Sequence, residues 1–237
     1  MQKEINITEL KDKLYKKLEP SGWALKLRGF IYSTEFDTIL ITLINQVNNN
    51  KRFTPSLKDV FNAFEMCPVN ELKVVIIGQD PYPQINVADG LAFSCSKSDE
   101  CMPAINFLLD EVNRTVYNGH PVSINPDLTR WAEQGILLLN SALTTVISKV
   151  GQHYDIWKPF ITYLLDYLTW NCPGLIYIFA GKQAQNWEEH INNSSYKFCV
   201  SHPASAVYNK TQTWNSENVF VKTQKIVQEL YNYSIIW

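Results

Sequence analysis

The sequence predicts an α/β fold built on a mainly parallel sheet, and two observations carry that prediction. Four apolar runs of strand length stand along the chain: KVVIIG (Lys73 to Gly78), ILLLN (Ile136 to Asn140), GLIYIF (Gly174 to Phe179) and YKFCVSHP (Tyr196 to Pro203). Around them lie stretches whose apolar residues recur at helical spacing. Strands alternating with helices of this kind are the pattern of a layered α/β domain.

In chain order, Phe36, Ile39, Leu40, Leu43, Ile44 and Val47 keep the i, i+3, i+4, i+7 spacing of one helix face. KVVIIG follows as the first strand. Ile105, Leu108, Leu109, Val112 and Val116 form a second apolar stripe, opened by Pro103, whose fixed φ suits a helix's first turn. PDLTRWAEQG (Pro126 to Gly135) reads as a short helix with a capping Asp127 and a stop at Gly135. ILLLN is the second strand. Trp157, Phe160, Ile161, Leu164, Leu165 and Leu168 make a third helical stripe before GLIYIF. The first three strands are continuously apolar, as strands covered on both faces are. YKFCVSHP is mixed and reads as an edge strand.

Length and composition bound the rest. A chain of 237 residues, 46% hydrophobic, buries one sizeable core, so a single domain is expected over 1–237, with a helical N-terminal region at 1–50. The opening MQKEINITEL shows no secretory signal, and LIYIFA (Leu175 to Ala180) is far too short to span a bilayer. The cysteines Cys67, Cys95, Cys101, Cys172 and Cys199 form no C-x-x-C pair and have no histidine at ligand spacing. No structural metal and no disulfide framework are expected, and isolated thiols fit a reducing compartment. A net charge of −2 gives no global pull toward nucleic acid, though a local patch still could.

In open parallel sheets, ligands bind beyond the carboxyl ends of the strands. There the sequence places Gln79, Asp80, Pro81 and Tyr82, then Asn140, then Gly181, Lys182 and Gln183, and finally His202 and Pro203. Each has an ordinary explanation: Asp80 before Pro81 makes a turn, Asn140 caps, and a histidine before proline is structural. Their conjunction at several strand ends favours a site containing an acid or base, an amide reader and an imidazole. The nucleophile elbow of an acyl-transfer enzyme and a Gly-rich phosphate loop are both missing.

Three segments carry a resemblance: GQDPYP…GLAFS (Gly78 to Ser94), ILLLN, and SHPASA (Ser201 to Ala206) resemble the signature segments of family-1 uracil-DNA glycosylases. KDVFNAF, WAEQGILLLN and GKQAQ are similar too, so the likeness runs from about Thr54 to the C-terminus in the family's order, and only loosely before it. The resemblance implies a monomeric α/β/α domain with a central four-stranded parallel sheet. It also implies hydrolysis of the N-glycosidic bond of deoxyuridine in DNA, with the base flipped into a pocket and no metal or cofactor. It assigns Asp80 to the carboxylate that positions water and stabilises the developing positive sugar, and His202 to the donor facing uracil O2. Asn140 becomes the reader of uracil N3 and O4, Tyr82 the block to a C5 methyl, Phe93 the stacking ring, and Gln79 a backbone donor to O2. Ser94 corresponds to a phosphate-contacting serine, and Ser205, Val207 and Tyr208 fall in the DNA-inserting loop.

The chain departs from the pattern in places. Pro83 replaces the usual histidine, QINVAD (Gln84 to Asp89) replaces a Gly-rich stretch, and Met102-Pro103-Ala104 stands where the family has a proline-rich serine loop. HPASAVYNK is shorter than the family's H-P-S-P-L-S-x-x-R and has no leucine to fill the gap left by a flipped base. Val207 or Tyr208 is the substitute, and a preference for single strands is expected. Three rivals remain open: a glycosylase of altered base choice, a non-catalytic DNA-binding or polymerase-accessory homologue, and a general α/β hydrolase. The expected partners are uracil-containing DNA, single- or double-stranded, and a protein inhibitor or replication protein on the DNA face. The expected location is the cytoplasm of a bacterial or infected host cell.

Overall fold

A computed structural model describes residues 6–98, 102–122 and 124–237. Cys101 and the opening Met1 to Ile5 lie outside the described residues; Cys67, Cys172 and Cys199 are free thiols. In chain order the elements are α1 (Ile7–Leu18), α2 (Trp23–Ile31), α3 (Thr34–Asn48), β1 (Phe53–Thr54), α4 (Asn62–Met66), β2 (Val74–Gly78) and α5 (Pro103–Thr115). There follow α6 (Thr129–Ala132), β3 (Ile136–Asn140), β4 (Thr145–Val146), α7 (Tyr154–Asn171), β5 (Ile176–Ala180), α8 (Lys182–Gln185), β6 (Tyr196–Val200), α9 (Ser205–Tyr208) and α10 (Val219–Tyr231). Among the described residues no helix is long and apolar enough to cross a membrane.

Four strands form one sheet in the order β3-β2-β5-β6, every neighbouring pair parallel, flanked by helices in a three-layer α/β/α arrangement. β2 is central, so its carboxyl end delivers Gln79 and Asp80 to the middle of the rim. The register sets Gly78 opposite Asn140. β6 is an edge strand and is half-exposed, as its mixed sequence predicts. β3 is the other edge, although its run is apolar up to Asn140 and fully buried. The loop around Leu91 to Cys95 covers that edge, with Ala92 N–H donating to Leu138 O at 3.0 Å. A covered edge strand needs the same side chains as an internal one.

Local signals account for the helix limits. Ser33 accepts from Phe36 N–H at 3.2 Å to start α3, and Pro103 occupies the first turn of α5. The segment from Pro126 to Gly135 forms less helix than expected. Asp127 accepts from Thr129 N–H at 2.9 Å, so regular helix is confined to α6. The N-terminal helices share the main core: Trp23 packs edge-on against Phe64 at 5.2 Å, and Phe30 and Phe61 meet Phe160 of α7 at 5.2 and 5.5 Å. Such pairs add about 0.5–1.5 kcal/mol each beyond burial. A second aromatic group joins α6, α10 and the C-terminus, where Trp131 and Phe220 contact Trp237 at 5.1 and 5.0 Å.

Candidate active site

Beyond the carboxyl ends of the strands lies a small cavity lined by Gln79, Asp80, Tyr82, Phe93, Asn140 and His202, with Pro81, Ala88, Gly90, Leu91 and Ala104. All six residues that the sequence marks as catalytic or base-binding therefore face one space, brought there by the loop after β2, the loop at Phe93, the end of β3 and the segment after β6.

Asp80 follows β2 and is half-buried. Its Oδ2 accepts from Gly151 N–H at 2.7 Å, and the hydroxyls of Thr145 and Tyr154 lie beside it. Burial, only partly offset by those donors, holds its carboxyl above the ordinary value. Asn140 ends β3 almost fully buried. Its closeness depends on Gly78, where a Cβ would stand 2.9 Å from Asn140 Oδ1 and 3.1 Å from Phe93 Cζ.

His202 comes two residues after β6. Ala204 N–H donates to its Nδ1 at 3.2 Å, so in the neutral ring the proton sits on Nε2. Burial pushes the imidazole down to about 4, which keeps it neutral through the physiological range. Gly181, at φ +100°, gives it room; a Cβ there would lie 3.0 Å from His202 Cβ.

Phe93 holds its ring 5.5 Å from that of His202 with its own backbone at φ +67°, a costly conformation for a bulky residue. Tyr82 pins it by donating its hydroxyl to Phe93 O at 2.9 Å. Asp89 pins the same loop from inside. It is 1% exposed and accepts from Leu91 N–H, Ser94 Oγ and Ser96 N–H at 3.0, 2.7 and 3.0 Å. This corrects the expectation for Ser94. Its hydroxyl is wholly buried, donates to Asp89 and accepts from Leu128 N–H at 3.1 Å, so it braces the loop rather than facing a phosphate.

The remaining DNA-side residues do not line the cavity itself, but two of them border a groove that shares Gln79, Asp80, Tyr82 and His202 with it. Val207 and Tyr208 border an adjoining groove with Met102, Pro103, Val150 and Pro83, and Tyr208 is 83% exposed at its edge. Ser205, half-buried, starts α9 and donates its N–H to His202 O at 2.8 Å. Pro83 contributes its carbonyl to Ser148 N–H at 2.9 Å. Sequence reasoning missed Asp89, Thr145, Gly151 and Tyr154. The polar segment GQHY (Gly151 to Tyr154), directly ahead of an apolar helical stripe, was the one signal available for the last two.

Comparison with known proteins bears on what the pocket does. A family model described as the uracil DNA glycosylase superfamily matches residues 64–232. A protein named uracil-DNA glycosylase from Acinetobacter baumannii (strain SDF) is 33% identical over 220 residues, 92% of either chain. One of the same name from Amoebophilus asiaticus (strain 5a2) is 39% identical over 152 residues, 63% of this chain and 68% of its own. The crystal structure of mimivirus uracil-DNA glycosylase, 25% identical, superposes with a TM-score of 0.83 over 99% of this chain and 90% of that one. A variant of that viral protein, solved in complex with UGI, superposes at 0.81 with 24% identity, over 91% of this chain and 87% of its own.

Proposed function

The chain belongs to the uracil-DNA glycosylase superfamily, and from that premise we propose that its pocket hydrolyses the N-glycosidic bond of deoxyuridine in DNA, releasing uracil and leaving an abasic site. One observation carries the assignment of roles: Asp80, Asn140 and His202 share a single small cavity with Tyr82 and Phe93.

The target base leaves the stack and enters the cavity, because the bond is out of reach inside a duplex. Phe93 offers its ring to the base, and Tyr82 occupies the space a C5 methyl would need. The Asn140 amide gives a donor to O4 and an acceptor to N3–H. Cytosine presents the reverse pattern and would leave buried groups unpaired. As the bond stretches, positive charge grows on the sugar and negative charge on the base. Asp80 answers the first as a carboxylate and orients the attacking water. His202 answers the second with its Nε2–H; a neutral donor suffices for an anionic leaving group. The test is an oligonucleotide carrying uracil, cytosine or thymine at one position: alkali-labile sites are expected at uracil alone, and cleavage at cytosine or thymine would overturn the base assignment.

The same reading sets a strand preference. No leucine is available to fill the gap left by the base, and α9 presents only Val207 and Tyr208. Extruding a base from duplex costs a few kcal/mol, which a wedge helps to offset. Excision from a single strand is therefore expected to run about tenfold faster than from the matched duplex. Equal single-turnover rates would contradict this. The enzyme acts as a monomer in the cytoplasm of a bacterial or infected host cell, and a protein inhibitor of the DNA face is a candidate partner. Nothing observed favours a purely accessory DNA-binding role, which would have little use for three polar groups in one small pocket.

A further inference from the structure

The carboxylate of Asp80 is gripped by a stretch of chain that the family's signature segments leave out. Gly151 N–H donates to its Oδ2 at 2.7 Å, and the hydroxyls of Thr145 and Tyr154 lie within hydrogen-bonding reach. The two hydroxyls are not equivalent. Thr145 spends its single proton on Lys149 O at 2.7 Å. Tyr154 is left as the side chain beside Asp80 whose hydroxyl can turn its proton to the carboxylate.

Tyr154 is itself held in place. Its ring packs on Gly151, where a Cβ would come within 3.1 Å of Tyr154 Cε2 at φ +77°. The residue before it, His153, is fully buried and hydrogen-bonded at both ring nitrogens, to Thr144 Oγ1 at 2.7 Å and to Gln46 Oε1 at 2.8 Å. Gln46 Oε1 can only accept, so His153 Nε2 carries the proton of the neutral ring and its bare Nδ1 accepts from Thr144 Oγ1, which itself accepts from Trp157 Nε1 at 2.7 Å. Every member of this chain is satisfied, with a neutral histidine at its centre; burial pushes that imidazole down to about 4. Gln46 belongs to α3. The N-terminal helices, the part of the sequence least like the family, are thus fastened to the loop that carries Asp80's donors.

We propose that Tyr154 is a positioning residue for the Asp80 carboxylate, and that the Gln46–His153–Thr144–Trp157 chain holds it in register. The catalytic consequence rests on the function proposed above; the grip itself does not. A donor to the ionised form favours that form, so its loss should raise the Asp80 pKa. Tyr82 and His202 also line the pocket and are unchanged by the substitution.

The experiment is a pH titration of the Asp80 carboxyl carbon by NMR in wild type and Tyr154→Phe, alongside steady-state kinetics on a uracil-containing oligonucleotide. In the variant the Asp80 midpoint is expected to rise by about one pH unit. Its kcat should fall about tenfold with KM within about twofold, and the acid limb of kcat should move to higher pH. Gln46→Leu, which cuts the chain at its far end, is expected to lower kcat about threefold with a limb shifted the same way. An unmoved Asp80 midpoint in Tyr154→Phe overturns the positioning role, and wild-type kinetics in Gln46→Leu overturn the fastening. If the wild type released no uracil, the functional reading would fail, while the carboxyl titration would still decide whether Tyr154 holds Asp80.

Discussion

Asp80→Asn is expected to lower the single-turnover rate of uracil release on the order of 10³-fold while leaving the protein folded. Asparagine has the same shape and retains an oxygen to accept from Gly151 N–H, so the rim keeps its geometry. The negative charge is what disappears, and with it the stabilisation of the cationic sugar. The effect on stability has the opposite sign. Burial holds the Asp80 carboxyl above its ordinary value, so the fold favours the protonated form. Ionising it costs stability as pH rises through the unfolded and then the folded pKa, and at neutral pH that cost is fully present. The asparagine variant is free of it. Its thermal midpoint should match or exceed that of wild type, measured by calorimetry beside the rate. Near-wild-type turnover would sink the proposed mechanism.

The second large effect is expected at His202. His202→Leu should reduce kcat on the order of 10² to 10³-fold, the loss usual for a donor aimed at a developing oxyanion, with a small change in KM. The pH profile separates the roles. The imidazole stays neutral down to about 4, so activity should show no inflection near the ordinary histidine value. The profile should instead be flat from neutral pH into mild acid. It should fall only where Asp80, itself raised above its ordinary value, takes up its proton and His202 gains one. Measuring kcat across pH 4 to 9 checks this; a break near 6.5 would mean that a charged histidine takes part.

What the sequence revealed and what it hid differ in physical kind. Strands β2, β3 and β5 were legible because they are buried on both faces and so run apolar up to their carboxyl ends. That same continuity could not say that β3 is an edge, since a covering loop imposes the demands of a neighbouring strand. The pocket residues were legible because they follow strands directly, so one-dimensional order translates into one rim. Asp80's donors were not, because Gly151 meets Asp80 from 71 positions away through a loop without periodicity. Ser94 shows the other limit: a hydroxyl in a motif looks the same in sequence whether it faces solvent or a buried carboxylate such as Asp89.

The central claim is that this cavity removes uracil from DNA. Its most direct test is an oligonucleotide with one uracil, offered single-stranded and as duplex, with EDTA present, scored for free uracil and for alkali-labile sites. Release of uracil with matching abasic sites, faster from the single strand and abolished in Asp80→Asn, is the result this account predicts. Intact substrate in both forms, with DNA still bound, would contradict it and leave a DNA-binding protein whose pocket does no chemistry.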